Sequence, residues 1–514
     1  MEKLFQTVEE CPEPQKAEIT GNIPDWLKGQ LFLVGPGKWD FDDGFSVNHW
    51  LDGSAFMYKF GIQKDRVDVM SRFLDTIAYK KVSETKRPVY VEFGTKAYPD
   101  QGKNVVSRFF SHMVPLELSD NVIGNVLIID GELYATSETC HLWKIDPKSL
   151  KCIKRVNLTD MVSINLASSH PHICPDGSVY NLCASFMTGL RYHILKVSPS
   201  NQKEPKGFER AKIIASLSAS HKTTYSYYHS FGLTEHYVVF LEQPLLVSTV
   251  KMAASGIKGY CVRDALEWTP TLKTKFHVID RNTGEEIKIK YQVKKPFFFF
   301  HHVNAYEEDG HVVVDVHAFP NPDVMDKYFL KSVRAGKLDG ACQAIFTRFV
   351  LPLKVEGKSS GNLVTLKDSK ATAIKDESGI IFLTCETKGE PGYETPTINY
   401  SMFNTKKYRY VYGSGTFDVG KYANSLLKLD NVTEEIKVWK ETNTMYPSEL
   451  VYVPRPGSTE EDDGVLLTVV LDVADNSRDF LMVMDAKTFK ELGRAYIPRS
   501  IKLPPSVHGR FRMD

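Results

Sequence analysis

Two kinds of turn recur between short apolar runs of the chain, and together they predict many short β-strands. The first kind is Asp-Gly, or the near equivalent Ser-Gly, because glycine tolerates the positive φ that a tight hairpin turn requires. Runs rich in valine or leucine, such as residues 312–314 and 465–467, follow these turns. The dipeptides are Asp52-Gly53, Asp130-Gly131, Asp176-Gly177, Asp309-Gly310, Ser378-Gly379 and Asp463-Gly464.

The second kind of turn is an apolar residue, then Asp, then Ser or Thr three residues further on. It occurs at Asp146 with Ser149, Asp280 with Thr283, Asp430 with Thr433 and Asp485 with Thr488. Hairpins repeated at intervals of tens of residues are typical of β-propeller blades. A two-sheet β-sandwich gives similar local turns and is the alternative. No low-complexity or Pro/Ser-rich linker divides the chain, so we predict an all-β fold with residues 1–514 in one domain.

Few segments interrupt the strand pattern. Residues 105–113 and 247–258 are the helix candidates, and we expect them to cover one face of the ring. No run of eighteen apolar residues occurs, which argues against a membrane-spanning segment. The first residues contain neither an apolar stretch nor an Arg-rich amphipathic one, so neither a secretory nor a mitochondrial address is predicted. The expected location is the cytoplasm, with peripheral membrane association.

Charge and cysteine content argue against nucleic-acid-binding, zinc-finger and disulfide-rich proteins. Sixty-four Lys and Arg against sixty-three Asp and Glu leave a net charge of +1, with no basic tail, which gives no electrostatic reason to expect a nucleic-acid partner. The eight cysteines are scattered without any Cys-x-x-Cys pair. That arrangement is typical of reduced thiols and argues against zinc fingers and disulfide frameworks.

Four of the fifteen histidines stand out because each ends an apolar or aromatic run: His170, His229, His301 and His508. On a propeller, residues this far apart in sequence can converge at the axis. An all-imidazole site suits iron, copper, nickel or zinc, so residue type alone does not select the metal. Redox chemistry with O2 favours Fe(II). His172 and His302 are adjacent alternatives for the ligand positions.

Motifs spread over most of the chain carry a resemblance to a known family. They include Glu92-Phe93-Gly94-Thr95, Tyr134-Ala135-Thr136-Ser137-Glu138, Ser169-His170-Pro171-His172, Tyr228-His229-Ser230-Phe231-Gly232, Phe300-His301-His302-Val303-Asn304, Tyr446-Pro447-Ser448-Glu449 and Glu460-Glu461-Asp462-Asp463-Gly464. In this order they resemble the carotenoid cleavage oxygenases, and the animal branch, with its β-carotene oxygenases and retinoid isomerohydrolase, is most similar.

The resemblance implies a seven-bladed β-propeller with a helical cap, and an iron bound by the four histidines named above. It also implies that Glu138, Glu394 and Glu449 stand behind the ligands, where a carboxylate would fix the tautomer of a metal-bound imidazole. By the same resemblance Phe93, Ser137 and Tyr227 lie near the substrate. Phe300 is a further candidate for the lining of an aromatic tunnel.

The leading functional hypothesis is a non-haem Fe(II) dioxygenase that cleaves a C=C bond of a carotenoid or apocarotenoid with O2. An isomerohydrolase acting on a retinyl ester and a non-catalytic carotenoid-binding protein are the alternatives. The apolar stretch from Pro244 to Lys258 is a candidate for contact with a lipid surface. The bond that is cleaved and the oligomeric state stay open.

Overall fold

A computed structural model describes residues 1–99, 118–186, 189–200, 206–338, 343–355, 361–415 and 422–514. The predicted helix at 105–113 lies outside these residues. The helix predicted at 247–258 is present as two short helices, Thr249–Ala253 and Ser255–Lys258, which follow a strand that ends at Ser248. In the described ranges, no helix is both long and apolar enough to cross a lipid bilayer.

Seven sheets of at least four strands follow one another along the described chain, and we number them blades 1–7. Each is given from its inner to its outer strand. Blade 1 contains His508–Met513, Gly29–Lys38, Ser54–Gln63, Arg66–Phe73 and Cys11–Lys16; blade 2 contains Asn125–Ile129, Glu132–Thr136, His141–Ile145 and Cys152–Asn157; blade 3 contains Leu166–Ala167 and His172–Ile173 end to end, then Val179–Ser185, Arg191–Val197 and Ala211–Ser218.

The remaining four blades continue the series to the C-terminal region of the chain. Blade 4 contains Gly232–Leu233, Tyr237–Glu242, Thr274–Asp280, Tyr291–Val293, Ile381–Thr384 and Thr372–Lys375; blade 5 contains Phe298–Glu308, His311–Phe319, Ile345–Pro352 and Glu386–Lys388; blade 6 contains Tyr393–Thr397, Tyr410–Gly415, Ser425–Asp430 and Ile436–Trp439; blade 7 contains Met445–Pro447 and Val451–Pro454, then Gly464–Asp472, Phe480–Asp485, Lys490–Tyr496 and Glu18–Gly21.

The two ends of the chain close the ring. The C-terminal strand His508–Met513 pairs with Gly29–Lys38 and becomes the inner strand of blade 1. The second strand of the chain, Glu18–Gly21, pairs with Lys490–Tyr496 and becomes the outer strand of blade 7. Blades 1 and 7 therefore exchange strands across the closure, and the fold is a β-propeller. That residues 1–514 form one domain stays a prediction.

The second kind of turn links the third and fourth strands of four blades. In blades 2, 4, 6 and 7 the aspartate carboxylate accepts the backbone N–H of the Ser or Thr three residues on, at 3.2, 2.9, 3.3 and 2.6 Å. Such turns form locally because the short Asp side chain reaches its own backbone. The repeated motif therefore marks one equivalent corner of these blades.

The apolar cores lie between neighbouring blades. Val314 and Phe349 of blade 5 pack with Phe276 of blade 4. Leu466 and Met482 of blade 7 pack in the same way with strands of blade 6. Burying a side chain of this size stabilises a fold by about 1.5–3 kcal/mol, so the ring is held mainly by contacts between sheets.

Most helices form one connected layer. The α-helices within the described residues are Ile77–Thr85, Thr249–Ala253, Ser255–Lys258, Val262–Ala265, Val324–Lys327, Leu330–Arg334 and Tyr400–Phe403. Arg263 joins two of them through Asp326, with atoms 2.6 Å apart, and its backbone N–H donates to the carbonyl of Phe93. A three-stranded sheet of Thr224–Ser226, Leu245–Ser248 and Leu266–Trp268 supports this layer, and Tyr400–Phe403 lies apart from it.

Candidate metal centre

The four histidines singled out in the sequence lie on or next to the inner strands of four blades. His508 begins the inner strand of blade 1, and His301 lies within the inner strand of blade 5. His170 sits between the two short inner strands of blade 3, and His229 precedes that of blade 4. The propeller axis thus brings together residues that are up to 338 positions apart, since the chain runs from 170 to 508.

The four Nε2 atoms converge on one point. Nε2 of His229 lies 2.9 Å from Nε2 of His170 and 3.1 Å from Nε2 of His301. Nε2 of His301 lies 3.3 Å from that of His508, and the four nitrogens are all within 4.8 Å of one another. His508 is buried and the other three are partly exposed, and His170, His301 and His508 border a cavity.

Three of the imidazoles donate their other ring N–H to a glutamate. Nδ1 of His301 lies 2.5 Å from Oε2 of Glu394, and Nδ1 of His508 lies 2.8 Å from Oε1 of Glu449. Nδ1 of His229 bonds in the same way to Glu138. His170 is the one member of the set for which the described residues supply no carboxylate.

The glutamates decide what the converging nitrogens can do. A neutral imidazole carries one proton, and a carboxylate can only accept, so Nδ1 is the protonated nitrogen of His229, His301 and His508. Their Nε2 atoms are then lone pairs that point at one another and cannot form hydrogen bonds among themselves. A bound cation turns this arrangement from repulsive to favourable, and the donor set fits a metal ion of borderline softness.

The ring pKa values follow burial and the charge behind each ring. Burial and the neighbouring imidazoles hold the pKa of His170 well below its ordinary value. Burial also lowers the pKa of His229, although Glu138 opposes it. For His301 burial acts downward, but Glu394 outweighs it and raises the pKa. Metal ligation requires neutral rings, which burial favours here.

Local backbone irregularities place two of these groups. The blade 5 ladder shifts register on both sides of His302, which takes His301 out of the regular pairing. The blade 6 strand is irregular between Glu394 and Thr397, and Thr395 has a φ of +48°. This conformation, uncommon for a β-branched residue, turns the Thr395 N–H onto the Glu394 carboxylate at 2.5 Å.

The adjacent histidines lie outside the convergent set. His172 Nε2 donates to the carbonyl of Phe231 at 2.9 Å, and its Nδ1 accepts from the hydroxyl of Tyr400 at 2.8 Å. Nδ1 of His302 lies 3.0 Å from the Ser230 hydroxyl. Both rings therefore make contacts away from the point where the four Nε2 atoms meet.

Two serines that the sequence analysis did not select join the inner strands. Ser168 accepts the N–H of His170 at 3.0 Å and donates to the carbonyl of His229. Ser230 makes the equivalent link in the next blade, since it donates to the carbonyl of Phe300 at 2.6 Å. Ser230 lies inside a quoted motif, but nothing in the sequence indicates these two bonds, because each one crosses between two blades.

Three of the four substrate-lining candidates pack against one apolar cluster. Phe93, Tyr227 and Phe300 all contact the cluster that contains Phe298. The Phe300 ring centre lies 5.3 Å from that of His229, and the Tyr227 hydroxyl donates to Glu138 at 2.9 Å. Ser137 is partly exposed, with its hydroxyl oxygen 3.4 Å from that of Thr139. A role of these residues in substrate binding stays a prediction.

Known proteins resemble this chain along its whole length. It is 39% identical to a carotenoid-cleaving dioxygenase, mitochondrial, of Mustela putorius furo, over 99% of this chain and 95% of that one. It is 38% identical to a beta,beta-carotene 15,15'-dioxygenase of Gallus gallus, over 99% of this chain and 98% of that one. The predicted resemblance to animal carotenoid oxygenases is therefore confirmed.

Solved structures confirm the predicted fold. A cobalt-substituted apocarotenoid oxygenase of Synechocystis superposes with a TM-score of 0.78 at 20% identity, covering 100% of this chain and 98% of that one. A chimera of that oxygenase with RPE65 gives a TM-score of 0.77 at 20% identity and the same coverage. The seven-bladed β-propeller with helices over one face is the architecture that these proteins share with the chain.

The predicted cytoplasmic location is wrong. Relatives from Mustela putorius furo, Macaca fascicularis and Homo sapiens, 38–39% identical, are named as mitochondrial. The prediction rested on what the first residues lack, and a missing signal carries no positive information about compartment.

A family model settles the relationship of the whole chain. The model described as retinal pigment epithelial membrane protein matches residues 4–513, which include all four converging histidines and the three glutamates behind them. The chain therefore belongs to the retinal pigment epithelial membrane protein family, the carotenoid oxygenase family that its motifs resemble.

Proposed function

We propose that this protein is a dioxygenase that cleaves one C=C bond of a carotenoid or apocarotenoid with O2, using Fe(II) held by His170, His229, His301 and His508. The observation that carries the proposal is the convergence of the four Nε2 atoms in a chain similar over its length to carotenoid-cleaving dioxygenases. The reaction balances without another reactant: the C=C and O=O bonds break, two C=O bonds form, carbon is oxidised and oxygen is reduced.

Bound Fe(II) would supply the redox chemistry with O2 that the side chains cannot provide. The protein itself holds four neutral imidazoles in fixed orientations. Glu138, Glu394 and Glu449 keep the proton on Nδ1 of three rings, which leaves Nε2 free as a ligand and raises its basicity. The carboxylates also offset the positive charge of the ion.

An aromatic side of the metal centre would position the polyene. Phe300 and Tyr227 lie beside His229, and Phe93 belongs to the same apolar cluster, so together with Ser137 they are our candidates for substrate contact. Aromatic side chains bind an extended apolar chain by burial and fix which bond lies near the metal. Positioning of this kind contributes to rate because the reacting atoms are held at short distance.

Peripheral contact with a lipid surface would bring the apolar substrate to the protein. Val250 and Ile257, on the helices Thr249–Ala253 and Ser255–Lys258, are 62% and 72% exposed. Lys251 and Lys258 flank them. Serine at both apolar positions should weaken co-sedimentation with phosphatidylcholine vesicles several-fold, whereas serine at the exposed Val438, on an outer blade strand, should not.

The test of the proposed reaction is turnover of β-carotene and of an apocarotenal under ¹⁸O2. Each of the two carbonyl products should carry one ¹⁸O atom when products are trapped quickly. His301→Ala should abolish the reaction, and His236→Ala, an exposed ring paired with Glu307, should not.

The alternatives give different results in the same assay. Unlabelled carbonyl products would exclude the dioxygenase. Turnover only of a retinyl ester, to an alcohol and a fatty acid without O2, would favour an isomerohydrolase. Tight binding of pigment without iron and without turnover would instead indicate a carotenoid-binding protein.

A further inference from the structure

The four inner strands that carry the histidines run parallel around the axis. As a result, the residues that follow each histidine all lie on one side of the metal centre. They line a cavity of about 420 Å³, to which the inner strands of all seven blades contribute. Its inner end is formed by His170, His301 and His508, and exposed residues, Ser401 and Met513, lie at its outer end. We call this cavity the axial channel.

The axial channel is distinct from the aromatic side. Phe93, Ser137, Tyr227 and Phe300 do not line it. Tyr227 and Phe300 precede His229 and His301 in the chain, whereas Ser230 and His302, which follow them, do line it. The metal centre thus has two approaches, one aromatic and one along the axis.

The axial channel has polar groups set in a largely apolar lining, and some of these polar atoms have no partner among the described residues. The side chain of Asn404 is only 6% exposed, yet neither its Nδ2 nor its Oδ1 hydrogen-bonds to the described residues, although it faces His172. Nε2 of His302 likewise has no partner among them. Since Ser230 uses its hydroxyl proton on the carbonyl of Phe300, the proton of the His302 ring lies on Nδ1, and Nε2 is an acceptor.

Unpaired buried amide and imidazole groups are costly unless water satisfies them, and buried waters occupy polar cavities with several partners. The channel supplies such partners in Asn404, His302 and the Tyr400 hydroxyl. The guanidinium of Arg510, 5.7 Å from the Tyr400 ring, adds a charged group to the lining. A volume of 420 Å³ is many times the space that one water requires.

We propose that the axial channel is a water-filled conduit that links the metal centre to solvent, separate from the aromatic side. Water and other small polar ligands would exchange at the metal through it while a polyene occupies the aromatic side. The inference rests on the proposed function only in that the four histidines bind a metal. It does not depend on the reaction or its substrate.

The first test measures whether water-soluble reagents reach Asn404. An Asn404→Cys variant is treated with methanethiosulfonate ethylammonium, a small cation that reacts in water, and each thiol is followed by peptide mass spectrometry. Cys183 is the matched internal control, since it is 0% exposed in an apolar core. The introduced thiol should react at least 100-fold faster than Cys183. Equal protection of the two thiols would overturn the proposal.

The second test links the channel to the metal. Ser401→Trp places a large side chain at the outer end, and Ser401→Ala is its control. In Mn(II)-loaded protein, the tryptophan variant should lower the water proton relaxation enhancement at least two-fold, and the alanine variant should not. An unchanged enhancement would show that water reaches the metal by another route. Absence of metal binding in every variant would instead refute the metal site itself, and with it the proposed function.

Discussion

Replacing Glu449 by glutamine tests whether the carboxylates act on the metal through the rings. Oε1 of Glu449 accepts the Nδ1–H of His508 at 2.8 Å, and Oε2 accepts the backbone N–H of Gly509 at 3.0 Å. A glutamine amide has one acceptor oxygen and one donor nitrogen, so one of these two N–H groups must face another N–H. Either His508 loses its orientation or the strand next to it loses a bond.

The expected loss of metal affinity is 10- to 100-fold, as for other partners of metal-bound histidines. At 1.36 kcal/mol per factor of ten, this corresponds to about 1.4–2.7 kcal/mol. Anaerobic competition for Fe(II) or Co(II) against a coloured chelator measures it directly. Turnover by the fully metal-loaded Glu449→Gln variant should decrease by a smaller factor than its metal affinity, because Glu449 acts on the metal only through His508.

The matched control is Glu461→Gln. Like Glu449, the Glu461 carboxylate accepts two N–H groups, here the backbone groups of Arg409 and Tyr410, each at 2.7 Å, but it bonds to none of the four converging histidines. That variant should lose some unfolding free energy and keep the metal affinity. If Glu449→Gln bound metal within two-fold of the unmodified protein, the carboxylate would be a structural residue and the reasoning would fail.

Three further predictions concern the pH dependence of stability, the hydrogen bond from Tyr227 to Glu138, and removal of the metal. Burial lowers the pKa of His277, but hydrogen bonds to Glu242 and Glu286 outweigh it and raise the pKa to about 9, above the value in the unfolded chain. The contribution of His277 to the free energy of unfolding is therefore complete below about pH 6.5 and is lost as pH rises through 9. Urea unfolding should show a loss of stability on the order of 3 kcal/mol over that range, absent in His277→Gln. Tyr227→Phe removes the hydroxyl that donates to Glu138 and should weaken metal binding less than ten-fold, by about 1 kcal/mol, in the same competition assay; a larger loss than that of Glu449→Gln would contradict this. Removing the metal with a chelator should lower Tm, and restoring it at a thousand times Kd should recover about 4 kcal/mol.

Turns could be predicted from the sequence where the residues of the turn alone determine its conformation. The four Asp-to-Ser/Thr turns are all present, and Gly131, Gly177, Gly310 and Gly379 all have positive φ. The dipeptide at Asp52 is not such a turn, because Gly53 has a φ of −65° and the Asp52 carboxylate accepts N–H groups instead. Its role depends on Gly94, which is 42 positions away in the chain.

Gly464 shows a second reason for a wrong local prediction. It begins a strand and has no positive φ, but a Cβ there would lie 2.4 Å from the carbonyl of Val453. The glycine is required by the close approach of two strands and not by a turn. Ser168 and Ser230 were missed for a related reason, since a hydroxyl that bonds across two blades leaves no periodic signal in either one.

The choice between neighbouring histidines depends on depth along the axis. Residue type gives no preference between His170 and His172, yet two residues along a strand amount to a shift of about 6–7 Å. Because the inner strands are parallel, the same shift applies on every blade. The four ligands therefore occupy one level, and His172 lies at the next level, on the channel side, with Tyr400 and Asn404. The order His-x-His in blade 3 thus corresponds to two levels along the axis, that of the four converging Nε2 atoms and that of the axial channel. Exchanging the two roles would require every inner strand to slip together, which the registers of the inner strands with the second strands of their blades oppose.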